Sequence, residues 1–248
     1  MQSAMSSDRI DLFSPLNWLK RGWGDFVRNP VPGLVHGLAL AAFGWFLIWI
    51  AFDRFWLLAG AFSGFMIVAP ILTSGLYLIS RNSAVGGPVG LLEVFRLWRS
   101  FDGRLVVFGM LLNLAGTGWV MTSAAMVTAM APGQIHNPAD FLRLVVLNPN
   151  IGLFEAWLLL GGLLAAPVFA SSVVAIPMLL DTQVGVRQAV MASWRAVGTH
   201  PQPLALWATL IMVLVGVGML TGLLGLVVVV PVLAHASWHA YVDLTAGA

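Results

Sequence analysis

Long apolar stretches alternate with short polar stretches along the chain, and this pattern predicts helices that cross a membrane. Four apolar runs cover about residues 32–52, 55–80, 105–130 and 151–180. Each is about as long as the roughly 20 residues that an α-helix needs to span a bilayer. A fifth run, from Leu204 to Leu244, has no charged residue before Asp243.

The fifth run is too long to be one membrane helix. At 1.5 Å per residue it would extend for about 60 Å, which is twice the thickness of the hydrocarbon layer. The glycine-rich stretch GVGMLTGLLG, Gly216 to Gly225, is where we place a turn. The pattern therefore predicts six transmembrane helices. A composition of 59% hydrophobic and 9% charged residues agrees with a polytopic membrane protein.

The basic residues orient these helices. If the N-terminus is cytoplasmic, ten of the 12 lysines and arginines lie on the cytoplasmic side, and only Arg54 and Arg143 lie outside. This bias is the positive-inside pattern of membrane proteins. We therefore predict a multi-pass protein with both termini in the cytoplasm. Residues 1–13 form a cytoplasmic tail, and residues 14–248 form a single six-helix transmembrane domain.

A short amphipathic segment precedes each odd-numbered helix, and such segments lie on membrane surfaces. Trp23 and Trp194, near the ends of the first and third segments, are each followed by prolines seven and nine residues later. Each even-numbered helix contains a proline after a β-branched run. The chain therefore predicts an all-α fold of three repeats, each an interfacial helix plus a helical hairpin, over about residues 14–81, 88–181 and 185–244.

The histidines are the candidate metal ligands. His235 and His239 are four residues apart and share one face of a helix. Such a pair binds zinc or copper if other ligands complete the shell, and His36 or His200 are the candidates. The spacing excludes the pair as the two axial ligands of one haem, which approach from opposite faces. The alternative, which we favour, is that the pair anchors a helix end at the membrane interface.

Other residues in the apolar runs predict packing and bending of helices. Asn113 lies near the middle of the third helix, where a buried amide needs a partner. The lack of a carboxylate at the membrane midplane disfavours an ion-coupled carrier. Small residues four apart predict close helix contacts at Gly33, Gly37, Gly60, Gly64, Gly218 and Gly222. Because proline has no N–H to donate within a helix, the sequence predicts helix kinks at Pro70, Pro177 and Pro231.

Three strings, GWGDFVRNPVPGLVHGL, APILTSGLYLISR and LVVVVPVLAHASWHAY, resemble a family of bacterial integral membrane proteins, domain of unknown function family 2189. The resemblance implies a location in the bacterial inner (cytoplasmic) membrane. Members of that family are sometimes described as related to subunit I of cytochrome c oxidase, which implies haem and copper. That subunit holds them with six histidines on separate helices of a twelve-helix bundle, and this sequence does not follow that pattern.

These features favour a non-catalytic accessory, structural or assembly subunit of an energy-transducing complex, respiratory or photosynthetic. The expected partners are membrane lipids and other integral membrane subunits; a formal net charge of +2 does not point to nucleic acid. No catalytic motif is present, the chain has no cysteine, and no cofactor is expected. One alternative is a haem- or copper-binding membrane protein that uses the cytoplasmic-side histidines. The other is a transporter of small solutes or lipids, in which the prolines bend helices around a cavity.

Overall fold

The computed structural model describes residues 10–61, 65, 74–99, 102–148 and 152–246, and this part of the chain is helical without strands. Residues 55–61 are helical, and a π-helical turn at Leu142–Val146 follows α6. The other helices are α1 (Ser14–Arg28), α2 (Pro30–Ala51), α3 (Ser74–Ala84), α4 (Leu91–Arg99), α5 (Gly103–Met130), α6 (Pro138–Phe141), α7 (Leu153–Ser172), α8 (Ala175–Asp181), α9 (Val186–Thr199), α10 (Pro201–Leu220) and α11 (Leu226–Thr245).

Within the described ranges, five helical segments are long and apolar enough to cross a membrane. They are α2, α5, α7 together with α8, α10 and α11. The all-helical membrane fold predicted from the apolar runs is confirmed to this extent. The remaining predicted helix, over residues 55–80, lies partly outside the described residues, as do the predicted packing residue Gly64 and the predicted kink at Pro70.

Several helices meet at one end of the bundle, which we call the basal end. The Arg81 Nε atom of α3 lies 2.9 Å from a carboxylate oxygen of Asp181, the last residue of α8. The Tyr241 hydroxyl of α11 donates to the same carboxylate at 2.9 Å. Arg104, in the first turn of α5, donates to the Thr182 carbonyl at 2.9 Å. The basal end therefore joins the ends of α3, α8 and α11 to the start of α5.

The opposite, distal end of the bundle contains the connections between the long helices. The first distal connection follows α2, and the second lies between α5 and α7. The Phe55 N–H donates to the His136 carbonyl at 2.9 Å and so joins these two connections. The Trp45 indole donates to the Gly222 carbonyl at 3.0 Å, which joins α2 to the third connection. An apolar cluster that includes Val127 and Leu153 packs beneath the second connection.

The third connection is a short turn between α10 and α11, inside the glycine-rich stretch where the sequence predicts it. Gly222 has a φ of +66°, a left-handed conformation that glycine adopts without strain. A Cβ atom built there would meet only Trp45, at 3.9 Å. Gly222 is therefore a turn residue, and its assignment to a helix-packing face is wrong because the helix ends before it.

Three other predicted packing glycines lie at close helix contacts. A Cβ atom on Gly37 of α2 would lie 2.2 Å from the Val227 carbonyl oxygen of α11, and one on Gly218 would lie 2.6 Å from Leu226. On Gly33, it would lie 2.8 Å from the ring of Phe26. A side chain at Gly37 would collide with the backbone of α11, whereas at Gly33 and Gly218 the nearest atoms belong to side chains. At the fourth, Gly60, the nearest atom would be 3.8 Å away, an ordinary contact.

The predicted kink positions Pro177 and Pro231 lie in different surroundings. The helix is interrupted between Ser172 and Ala175, just before Pro177, which has no N–H to donate to the Val173 carbonyl. Pro231 lies inside α11, which continues through it. Because Pro231 lacks an N–H, the Val227 carbonyl loses its usual helical donor, and this is the carbonyl that Gly37 approaches.

The first and third amphipathic segments join the long helices that follow them in the same way. A single residue, Asn29, separates α1 from α2, and its φ and ψ are −133° and 65°. His200 separates α9 from α10 with φ and ψ of −129° and 56°. A proline at the start of the following helix suits both junctions, because the first helical N–H has no intrahelical acceptor.

α4 and α9 each pack on the helices that precede them in the chain, whereas α1 packs on the last helix. α1 packs on α11, α4 packs on α3, and α9 packs on α7 and α8. A Cβ atom on Gly75 of α3 would lie 2.4 Å from Val94 of α4. The Ser193 hydroxyl of α9 accepts a 3.1 Å hydrogen bond from the Val174 N–H at the break between α7 and α8. The three helices thus cross-link the bundle in a cyclic order.

Candidate functional site

Four polar side chains form a connected group at the basal end, between α1, α3 and α11. The Ser80 hydroxyl oxygen lies 2.7 Å from a carboxylate oxygen of Asp25 and 2.7 Å from His235 Nδ1. His239 Nε2 lies 2.8 Å from the same oxygen of Asp25. Asp25 is 5% exposed and His235 is fully buried. We call Asp25, Ser80, His235 and His239 the basal polar cluster.

A close approach between α1 and α11 brings Asp25 to this cluster. A Cβ atom on Gly22 would lie 2.6 Å from the Ala236 nitrogen and 2.7 Å from the Val232 carbonyl oxygen. Only glycine lets the two helices come so near. Asp25 follows Gly22 by three residues and lies on the same side of α1, so its carboxylate faces α11 and α3.

The hydrogen bonds around Asp25 favour its ionised form. Burial by itself raises the pKa of Asp25, but the hydrogen bonds from His239 and Ser80 outweigh this effect. The pKa of Asp25 therefore lies below its ordinary value. The carboxylate is ionised at neutral pH, and it accepts hydrogen bonds without donating any.

The ionised Asp25 fixes the direction of the other hydrogen bonds. Because Asp25 only accepts, the Ser80 hydroxyl donates to it, and His235 Nδ1–H must then donate to the Ser80 oxygen. This leaves the lone pair of His235 on Nε2, which is buried and has no hydrogen-bond partner among the described residues. A catalytic serine instead donates to the imidazole that takes its proton. The geometry is thus that of a structural tie between three helices.

Further polar contacts surround the basal polar cluster. Trp18 donates its indole N–H to Asp243 at 2.8 Å, and Arg21 forms an ion pair with the same carboxylate. These contacts fasten α1 to the last turn of α11, beside the contact of Tyr241 with Asp181.

Arg104 satisfies backbone carbonyls at the end of α8. Its guanidinium donates to the carbonyls of Leu179, Thr182 and Val184 at 2.9–3.1 Å. Asp102 orients the guanidinium from the other side. The hydrogen bonds from Arg104 hold the pKa of Asp102 below its ordinary value, although partial burial by itself raises that pKa. The last carbonyls of a helix have no intrahelical donor, so this arginine acts as a side-chain cap.

The four predicted metal ligands are held by separate interactions. His36 Nδ1 donates to the Pro32 carbonyl at 2.7 Å within its own helix. His200 lies at the junction of α9 and α10, while His235 and His239 contact Ser80 and Asp25. In the described part of the chain, no group of three or more His, Cys, Asp or Glu side chains is placed to hold a metal ion. The described residues thus do not fit a haem–copper centre, and metal binding stays a prediction.

The preferred interpretation of the histidine pair, an anchor at the membrane interface, is wrong for His235. Its side chain is fully buried against Ser80, so it contacts neither solvent nor a lipid headgroup. The side chain of His239 is 17% exposed and bonded to Asp25. The pair therefore points into the protein.

Asp25 and Ser80 are the members of the cluster that the sequence did not reveal. Asp25 is near Arg28 on an amphipathic segment, which predicts a surface ion pair, and Ser80 is one of many small polar residues in the apolar runs. A weak signal is that Gly22 shares one arc of α1 with Trp18 and Asp25, because a small residue on a helix face lets another helix approach closely.

Comparison with known proteins yields one match. A family model described as a predicted integral membrane protein (DUF2189) matches residues 57–181. This stretch is just over half of the chain and contains α3 to α8. No curated protein and no solved structure matches the chain.

Proposed function

From the premise that the chain belongs to the DUF2189 family of predicted integral membrane proteins, we propose that it is a non-catalytic accessory or assembly subunit. The complex to which this subunit belongs is an energy-transducing complex, respiratory or photosynthetic, in a bacterial inner membrane. The observation that carries this proposal is a polar side chain on the outer surface of the bundle at the depth of the membrane interior.

That side chain is Asn113 of α5. It is exposed, and in the described part of the chain its amide forms no hydrogen bond. It lies about 14 Å along the helix axis from Arg104 at the basal end, which is close to half of the ~30 Å hydrocarbon layer. An amide at this depth finds no hydrogen-bond partner in lipid.

Exposed threonines on the membrane-spanning helices differ from Asn113. The hydroxyls of Thr117, Thr122 and Thr209 each donate to the carbonyl four residues earlier in their own helix, at 2.8–2.9 Å. These residues need no partner from another protein. The Asn113 amide has both a donor and an acceptor, and such side chains join helices within membranes. A transmembrane helix of another subunit, with a polar side chain at the same depth, fits this surface.

The proposed arrangement in the membrane has six transmembrane helices and a cytoplasmic basal end. Phe55 lies at the distal end and Ser80 at the basal end, which supports a sixth crossing between them. The excess of basic residues at the basal end supports its cytoplasmic location. The cyclic packing of α1, α4 and α9 and the matching junctions at Asn29 and His200 support three repeated units.

Affinity purification in a mild detergent tests the proposal. We expect the wild-type protein to co-purify in fixed stoichiometry with integral membrane subunits of one complex. Asn113→Leu should lose these subunits and keep its own fold, because an exposed leucine suits lipid better than an amide does. Thr209→Val is the matched control, since it removes an exposed hydroxyl that is already satisfied within α10, and it should keep the partners.

Two results would contradict the proposal. One is a wild-type protein that is isolated without any partner under conditions in which other complexes of the same membrane stay intact. The other is partner recovery that Asn113→Leu leaves unchanged. Mass spectrometry of the eluate, with size-exclusion chromatography of each variant, separates loss of the partner from loss of the fold.

A further inference from the structure

A cavity of about 250 Å³ lies between α7, α8, α10 and α11. Buried side chains, among them Trp207, Ile176 and Leu233, form its back. Part-exposed side chains, among them Phe169 and Ile211, line the rest. Because these exposed positions are on membrane-spanning helices, the cavity opens sideways at the surface of the bundle and not towards water.

The cavity is elongated along the helix axes. Its wall on α11 runs from Leu226 to Ser237, which is about 16 Å at the helical rise of 1.5 Å per residue. Ser237 lies about 6 Å above Tyr241, which contacts Asp181 at the basal end. One leaflet contributes about 15 Å of hydrocarbon, half of the bilayer core. Leu226, at the other end of this wall, begins α11 at the distal end and lies about 22 Å above Tyr241. The cavity thus has the length of an acyl chain and extends from the basal half of the bundle into its distal half.

The wall of the cavity has few free hydrogen-bonding groups for water molecules. A water occupies about 30 Å³ and needs two to four polar partners, so the volume holds several waters only if the wall is polar. The hydroxyls of Ser172 and Ser237 already donate to carbonyls of their own helices at 2.8 Å. Apart from the Tyr77 hydroxyl and the Trp207 indole N–H, the other side chains of the wall are apolar. An apolar occupant therefore suits this cavity.

The interruption of the helix before Pro177 leaves room for the occupant. α7 ends at Ser172 and α8 begins at Ala175, and Ser172, Val173 and Ile176 all line the cavity. Two facing helices that continued straight would fill this space with interlocking side chains. The cavity thus lies against the interruption of the helix between α7 and α8.

We propose that this cavity binds one acyl chain of a membrane phospholipid, which stays with the protein when the membrane is dissolved. The chain enters sideways from the surrounding lipid and covers Phe169, Ile211 and Val230. The site lies on α7, α8, α10 and α11, whereas Asn113 is on α5, so it goes beyond the proposed partner interface and does not depend on it.

Photo-crosslinking with a phospholipid that carries a diazirine in the middle of an acyl chain tests this proposal. The full-length protein is reconstituted with the probe, irradiated and digested, and the labelled peptides are identified by mass spectrometry. We expect labels on α7, α10 and α11 at residues of the cavity wall. Ile211→Trp fills the cavity and should lower this labelling by about tenfold. Val213→Trp, on the exposed face of the same helix, should leave it unchanged.

Labels spread evenly over the exposed faces of α5 and α10 in all three proteins would overturn the proposal. So would extraction of an isoprenoid compound instead of a phospholipid from the purified wild-type protein. If Ile211→Trp does not elute as a folded protein, Val215→Phe fills the same wall with a smaller change. The positions of the labels in the wild-type protein test the proposal without any variant.

Discussion

At the scale of residues, the fold places an ionised carboxylate inside a membrane domain and surrounds it with hydrogen-bond donors. Asp25 accepts hydrogen bonds from Ser80 and His239, and Arg28 lies 3.5 Å from its other oxygen. Hydrogen bonds to a buried charge are stronger than those between neutral groups. Loss of the Ser80 hydroxyl would leave the buried Nδ1–H of His235 without its acceptor, which costs about 1–3 kcal/mol.

The pH dependence of stability tests the role of Asp25. A carboxylate whose pKa is lowered on folding stabilises the protein above its unfolded-state pKa, and this contribution is lost as the pH falls through the folded-state pKa. The stability that Asp25 contributes is therefore lost at pH values below 3.8. We expect Asp25→Asn to lower the free energy of unfolding by about 2 kcal/mol at neutral pH. Its unfolding temperature should also depend less on pH in the acidic range than that of the wild-type protein.

Thermal unfolding in detergent at a series of pH values measures both effects. Asp53→Asn is the control, because Asp53 is exposed in the first distal connection and forms no hydrogen bond in the described part of the chain. It should match the wild-type protein throughout. Equal stability of Asp25→Asn and Asp53→Asn at neutral pH would show that the basal polar cluster contributes nothing to folding.

At the scale of elements, α1 is an amphipathic helix with one arc packed on the bundle and another arc exposed. The arc with Trp18, Gly22 and Asp25 is buried against α11. Another arc presents Leu16, Trp23 and Val27, and Trp23 is 52% exposed. A helix that leaves such an apolar arc uncovered at the end of a membrane bundle lies with that arc in lipid. The same helix therefore packs on the bundle with one arc, and its contact with the membrane surface through the other arc stays a prediction.

A pair of glycine substitutions tests the packing of α1 on α11. We expect Gly22→Leu to lower the free energy of unfolding by about 2 kcal/mol or more, because the side chain collides with the backbone of α11. Gly24→Leu is the matched control, since a Cβ atom there meets nothing within 4 Å. It should raise stability by about 0.5–1 kcal/mol, because leucine favours the helix more than glycine does.

The same detergent unfolding experiment measures this pair, and limited proteolysis adds a local measurement. The loosened α1 of Gly22→Leu should be cleaved near Lys20 and Arg21 faster than α1 of Gly24→Leu. Identical unfolding curves for the two variants would contradict the close contact between α1 and α11.

At the scale of the whole molecule, the two ends of the bundle differ in chemistry. The basal end joins helices through ion pairs and capped carbonyls, as at Arg81, Asp181 and Arg104. The distal end is held mainly by apolar and aromatic contacts, such as the stacking of Phe55 on Phe141 at 5.2 Å. This asymmetry agrees with a protein that has a fixed orientation in its membrane.

Single-cysteine labelling tests the orientation and the sixth crossing, and the natural chain has no cysteine to interfere. We expect a membrane-impermeant maleimide to label Asp53→Cys and Gln134→Cys on intact cells. Ser83→Cys and Gln188→Cys should be labelled only after lysis. Labelling of Asp53→Cys and Ser83→Cys from the same side would contradict a crossing between residues 55 and 80.

The sequence by itself determined the class of fold and the positions of the described long helices. Charges and prolines interrupt the apolar runs, so the predicted start of the first helix at Pro32 and the observed start at Pro30 nearly coincide. The predicted turn in the glycine-rich stretch also lies where the structure has it. These features are local, because the length of an apolar run and the missing N–H of proline act within a few residues.

Only the tertiary structure decided which residues form the basal polar cluster. Ser80 is 55 residues from Asp25 and 155 residues from His235. In a water-soluble protein the apolar face of a helix indicates the buried side, but in a membrane apolar side chains suit both lipid and protein. The apolar pattern therefore predicted that α1 is amphipathic but did not indicate that the arc with Trp18 and Asp25 is buried. The glycine contacts between helices determine which arc is buried, and with it they bury His235 and bring His239 to Asp25.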